Sequence, residues 1–206
     1  MHQKHVMVKG KKLGEADKVL IMIHGRGASA ESILSLADYL NVNDYTLLAP
    51  EATGNTWYPY SFLAPPFNNE PWLSSALDIL GEILEDVNNS GIRSDNTYFL
   101  GFSQGACLTL EFVARNAQRF GGVAAFTGGL IGDRVYEDNY AGDFGMTPVF
   151  IGSSDPDAHI PVARVHETTT ILKKLNANVT EKIYPNMGHT VSEDEIEIVN
   201  STIFTV

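Results

Sequence analysis

Apolar residues in this chain fall into short blocks of two kinds, and the two kinds alternate. Blocks of the first kind are continuous: Lys18–Ile23, Tyr45–Ala49, Thr97–Phe102, Gly122–Phe126, Pro148–Ile151 and Val179–Tyr184, with a weaker one at His5–Val8. Several of these runs do not alternate with polar residues. That predicts strands buried on both faces, as in a parallel sheet covered by helices, and the weak first run predicts an edge strand.

Blocks of the second kind follow a helical period. Ile33, Leu36, Ala37 and Leu40 share one face, and so do Leu73, Ala76, Leu77 and Leu80, extended by Leu84 and Val87. Leu110, Val113, Ala114 and Ala117 mark a third helix, and Val162, Val165, Thr169 and Leu172 a fourth. Pro71 and Pro161 suit first turns, where a missing N–H costs nothing. Ser192 and Glu195 form a capping box, with Glu193 and Asp194 favourable at the same dipole end, so a short last helix starts there. Two stretches, Gly54–Glu70 and Gly128–Met146, have no period. Loops this long in a compact domain are usually functional or mobile.

Alternating strands and helices imply an α/β fold, a mostly parallel sheet flanked by helices on both faces, with ligands at the carboxyl ends of the strands. A length of 206 residues suits one domain, 1–206. The strongest apolar run, Val19–Ile23, is far too short to span a bilayer. The first residues carry charges but no apolar core of a secretory signal, and the single cysteine, Cys107, excludes an intrachain disulfide. Both features favour the cytoplasm. A formal net charge of −11 argues against nucleic acid and against anionic membranes as partners. It is read as serving solubility. A homodimer is left open.

The candidate chemistry begins at Gly101-Phe102-Ser103-Gln104-Gly105, a G-x-S-x-G pattern between an apolar strand and a helical stripe. That context predicts a tight strand-to-helix turn with Ser103 projecting above the sheet. A serine hydroxyl needs a base. Of the six histidines, His2 and His5 fall in a terminus expected to be mobile, and His166 on a helix surface. His189 follows the last strand, in a loop before the capped helix, where it can reach the elbow. The acid should follow the strand at Pro148–Ile151, where Asp155 and Asp157 both stand; Asp157 is slightly favoured. An oxyanion needs two preorganised N–H donors. They are assigned to the amides of Gln104 and of Arg26, in the glycine-rich segment His24-Gly25-Arg26-Gly27.

Together HGRGA at His24, GFSQGA at Gly101, the D-x-x-[VI]-P element at Asp157 and the pair Gly188-His189 resemble the phospholipase/carboxylesterase branch of the α/β hydrolases, which includes acyl-protein thioesterases. The resemblance implies an α/β-hydrolase core without a large cap domain and cleavage of carboxylic esters or thioesters without a cofactor. It also implies the same roles for Ser103, His189, Arg26 and Gln104. Three departures stand out. The family usually has leucine where Arg26 stands, which predicts a more polar entrance. The acid loop is two residues longer than the family pattern. The aromatic stretch ATGNTWYP is unlike the usual thioesterase sequence.

Rival readings remain. Trp57, Tyr58 and Phe62 are candidates for the substrate pocket, but Trp57 and Tyr58 would serve equally well as core filling. Asp155, Asp157, His159 and His189 have residue types suited to a metal but no metal-site spacing, so no metal is expected and His159 is assigned to bracing its loop. Cys107 is assigned to packing. A small-molecule ester is the expected partner. A lactone or enol-lactone (dienelactone-type) hydrolase is the second reading, and a binding protein that kept the fold without the chemistry is the third.

Overall fold

The computed structural model describes residues 1–205. Seven strands form one sheet in the order β1-β3-β2-β4-β5-β6-β7. They are β1 Val6–Gly10, β2 Val19–Ile23, β3 Thr46–Pro50, β4 Thr97–Phe102, β5 Gly122–Phe126, β6 Pro148–Asp155 and β7 Asn178–Pro185. Only β1 runs antiparallel to its neighbour; every other pairing is parallel.

The central strands are buried on both faces because helices cover both. In β2, Val19, Ile21 and Ile23 join one core, while Leu20 and Met22 join the other. The first core lies under α2 (Trp72–Asn89), α3 (Gln104–Arg115) and α4 (Val162–Lys174), the second under α1 (Ala30–Leu34) and α5 (Glu193–Thr202). The period of two along each strand therefore divides one apolar run between two cores. None of these helices is long and apolar enough to cross a membrane.

Several expected boundaries shift. The stripe from Ile33 to Leu40 is not one helix: α1 ends at Leu34, and Ser35–Tyr39 tightens into a 3-10 turn. Helix α3 stops at Arg115, and Ala117 forms a parallel bridge with Gly142 instead. Pro71 sits one residue before α2 rather than inside it. The capping box at Ser192 and Glu195 is present.

The amino terminus corrects a prediction. His2 is 8% exposed, and its amide donates to the Ser75 hydroxyl at 2.9 Å. Its Nδ1 accepts the Thr53 amide, so Nε2 carries the hydrogen and donates to the Trp57 carbonyl at 2.8 Å. A neutral ring is required for both roles, and burial lowers the His2 pKa in that direction.

Candidate active site

Strand β4 ends at Phe102; the next residue, Ser103, has φ 54° and ψ −119°, and α3 begins directly after it. This backbone is costly for a residue with a side chain and persists only where neighbours hold it. Here the Ser103 amide is bonded to the Phe126 carbonyl at 3.0 Å. The flanking glycines are needed for close approach. A Cβ at Gly101 would collide with the Gly105 carbonyl, and one at Gly105 with the Ile23 carbonyl.

The candidate base and acid come from the loops after β7 and β6. His189 Nε2 lies 2.8 Å from Ser103 Oγ, and His189 Nδ1 lies 2.8 Å from Asp157 Oδ2. A carboxylate only accepts, so Nδ1 carries the hydrogen and Nε2 is free to accept the serine proton. The Asp157 carboxylate is fully shielded from solvent. Burial alone would raise its pKa. The His159 amide, the His189 ring and the Ile160 amide outweigh burial and hold the group below the usual carboxylate range. Its Oδ1 accepts those two amides at 2.7 and 2.8 Å.

Ser154 ties the two loops together. Its hydroxyl donates to the Pro156 carbonyl and accepts the Gly188 amide at 2.9 Å. The second acid candidate, Asp155, ends β6 exposed, and its carbonyl accepts the Asn186 amide. The structure therefore brings Asp157, not Asp155, to the imidazole. The Phe102 and His159 rings flank His189 at centroid distances of 5.3 and 5.0 Å. Among the described residues, no group of three or more His, Cys, Asp or Glu side chains is arranged to hold a metal.

On the other side of Ser103, residues Gly25 to Ala28 form a turn closed by the Ala28 amide on the Gly25 carbonyl. Gly27 supplies the positive φ of 74° that a type II turn needs at that position. The Gly27 amide is bonded to the Asn55 carbonyl at 2.7 Å, which leaves the Arg26 amide outside the hydrogen bonds of the turn. His24 anchors the turn from below. Its Nε2 accepts the Ala52 amide, so Nδ1 donates to the Gly25 carbonyl. Burial lowers the His24 pKa, which suits this neutral tautomer. The Gln104 amide opens α3, where first-turn N–H groups have no intrahelical acceptor.

Between these two sides lies a cleft of about 650 Å³. Ser103, His189, Arg26 and Gln104 border it, and Tyr58, Phe62 and Ile160 back it with side chains that are themselves buried. Trp57 does not line it. Its indole is fully buried and donates to the His24 carbonyl at 2.9 Å, between the rings of His2 and His24. Of the two readings for Trp57, core filling is the one this geometry supports. Cys107 borders the cleft floor with its thiol buried, and burial pushes its pKa up to about 12, where it is inert.

Sequence reasoning missed what the Arg26 and Gln104 side chains do. Arg26 Nη2 donates to the Tyr58 and Tyr60 carbonyls at 2.9 and 2.7 Å, and Nη1 to the Pro59 carbonyl at 2.9 Å. Gln104 accepts the Trp57 amide and donates to the Tyr58 carbonyl, both at 2.9 Å. The guanidinium expected to make the entrance polar is engaged by the cleft wall. No local signal reveals this, because the acceptors are main-chain carbonyls of a distant loop.

A parallel sheet with an antiparallel edge strand, a serine elbow after β4 and a histidine in the loop after the last strand define an α/β hydrolase. Within that class the chain belongs to the phospholipase/carboxylesterase family, whose model matches residues 3–206. It is similar to a crystal structure of a phospholipase/carboxylesterase from Dyadobacter fermentans, with 49% identity and a TM-score of 0.98, over 99% of this chain and 98% of that one. It is also 26% identical to acyl-protein thioesterase 1 of Kluyveromyces lactis, over 88% of this chain and 89% of that protein. A probable carboxylesterase, SOBER1-like, of Arabidopsis thaliana is 26% identical over 65% of this chain. The match spans about half, 51%, of that plant protein's length.

Proposed function

We propose that this chain hydrolyses carboxylic esters of small molecules through a Ser103–His189–Asp157 triad and an acyl-enzyme. The observation that carries the reading is the unbroken relay of two 2.8 Å contacts from the Ser103 hydroxyl through the imidazole to a shielded carboxylate. His189 takes the Ser103 proton as Oγ bonds to the ester carbonyl carbon. The carbonyl oxygen becomes an oxyanion facing the Arg26 and Gln104 amides. His189 then protonates the leaving alcohol as the C–O bond breaks. Water, deprotonated by the same imidazole, releases the acid and restores Ser103.

Thioesters and lactones would pass through the same steps, and an ester, thioester and lactone panel separates them. A chain with one buried cysteine fits a cytoplasmic setting. In the triad test, Ser103→Ala abolishes labelling by a fluorophosphonate and lowers kcat on p-nitrophenyl acetate by about 10⁴-fold or more. In the same assay Asp157→Asn loses far more kcat than Asp155→Asn. Full activity in Ser103→Ala overturns the reading, and the reverse order of the aspartates moves the acid to Asp155.

A further inference from the structure

The two residues assigned as oxyanion donors grip one short segment of the cleft wall with their side chains. Arg26 bonds three successive carbonyls, Tyr58, Pro59 and Tyr60. The planar guanidinium can do this because its donors are held in a fixed fork. Gln104 accepts the Trp57 amide and donates to the Tyr58 carbonyl, the two outer ends of the Trp57–Tyr58 dipeptide. The Tyr58 carbonyl accepts from both side chains at 2.9 Å, which uses both lone pairs of that oxygen. The turn that carries Arg26 and the elbow that carries Gln104 thus meet at a single backbone atom. The Gly27 amide bonded to Asn55 is a further tie between this turn and the loop. Tyr60, at the end of the gripped segment, is 61% exposed, so outside packing does little to hold it.

Resting on the triad reading, we propose that the Arg26 guanidinium is a positioning residue. It locks the turn bearing its own amide to the Tyr58–Tyr60 wall and, through the shared Tyr58 carbonyl, sets the spacing between the two oxyanion donors. An oxyanion hole acts only if its donors stand where the transition-state charge appears. A shift of one donor would lower the rate of the chemical step while substrate still enters the cleft. The same strut makes wall and oxyanion site one unit, so the seating of an acyl group against that wall bears on donor alignment.

The test uses Arg26→Met, which keeps the main-chain amide and removes every side-chain donor. On short p-nitrophenyl esters kcat falls about 10- to 100-fold, the cost of a small misplacement near the chemistry, while KM moves less than about threefold. Affinity for an alkyl boronate, which mimics the tetrahedral adduct, falls by the same factor as kcat. Arg26→Lys recovers only part of the loss, because one ammonium cannot span three carbonyls. A kcat within about twofold of wild type, or a loss not matched in boronate affinity, overturns the proposal. If Arg26→Met does not fold by near-UV circular dichroism, Arg26→Lys decides: full kcat there overturns it. The triad reading fails separately, through a wild-type chain that takes up no fluorophosphonate. A slower but complete labelling of Ser103 in Arg26→Met is the mark of a misplaced oxyanion site.

Discussion

Gly54–Glu70 and Gly128–Met146 both lack a regular period, both set aromatic rings among turn-forming residues, and both are fastened by the same device, yet only the first borders the cleft. In each, an arginine grips main-chain carbonyls while a polar side chain of α3 holds a neighbouring amide. Arg26 and Gln104 hold the first. For the second, Arg164 Nη1 donates to the Leu130 and Gly132 carbonyls, and Glu111 accepts the Ile131 amide and the Tyr140 hydroxyl. The difference is the position of attachment on α3. Gln104 stands at its first turn, beside the elbow, and Glu111 stands two turns further down, inside the core. Which of the two aperiodic loops borders the cleft is therefore set by where on α3 each is tied.

The largest effect expected from breaking this comparison is at Glu111. Its carboxylate is fully buried, and it also pairs with Arg115 at 2.7 Å. Glu111→Ala leaves the Ile131 amide and the Tyr140 hydroxyl without their acceptor. Removing one partner of such a buried network costs about 3–5 kcal/mol. For a chain of this size that lowers Tm by roughly 6–20 °C. The kcat and KM of the folded enzyme should stay near wild type, because Gly128–Met146 contributes nothing to the cleft lining. A large KM change at full folding would erase the distinction between the two loops.

Asn69 is the corresponding probe for the cleft loop. It is fully buried, accepts the Tyr60 amide at 2.9 Å and donates to the Ser61 carbonyl at 3.1 Å. Asn69→Ala frees two backbone groups that lie partly open to solvent, so the stability loss should be smaller, about 1–2 kcal/mol. Unlike Glu111→Ala it should also raise KM, because Tyr60 and Ser61 border the cleft. Urea unfolding and steady-state kinetics on one preparation separate the two outcomes. An unchanged KM would mean that the Arg26 grip alone holds the wall.

How far these ties were legible in the sequence follows from their range. The strands were legible because burial on both faces leaves a continuous apolar run, as in Val19–Ile23. Ser103 and His189 were legible because the elbow and the last loop have local signatures, glycine spacing in one and a capping box after the other. Sequence favoured Asp157 over Asp155 only slightly, since one ends β6 and the other stands two residues beyond it, and the amides of His159 and Ile160 show which carboxylate is turned inward. The burial of His2 was hidden because its partners lie at Thr53, Trp57 and Ser75, and a polar terminal segment carries no trace of them. The grips of Arg26 and Arg164 were hidden for the same reason: any backbone carbonyl can accept.

Glu195 offers the finest test of the idea that partners, not burial, decide what a polar group does. Like Glu111 it is fully buried, but only its Oε2 is bonded, to the amide and hydroxyl of Ser192. Its Oε1 has no partner among the described residues and sits so close to Gly152 that a Cβ there would collide with it. Burial is the main cause that raises the Glu195 pKa, and the Ser192 bonds only partly oppose it. A carboxyl raised on folding binds its proton more tightly in the native state. Its contribution to stability is therefore complete below the unfolded glutamate range and is lost as pH rises through that range to the higher folded value. Glu195→Gln removes this titration. The variant should match wild type at low pH and exceed it by about 1 kcal/mol near neutrality, the scale of one unmet buried acceptor. Urea midpoints measured across pH read the difference directly. A constant offset at every pH would mean that the carboxyl binds its proton equally well folded and unfolded, so that burial without a second partner does not perturb it.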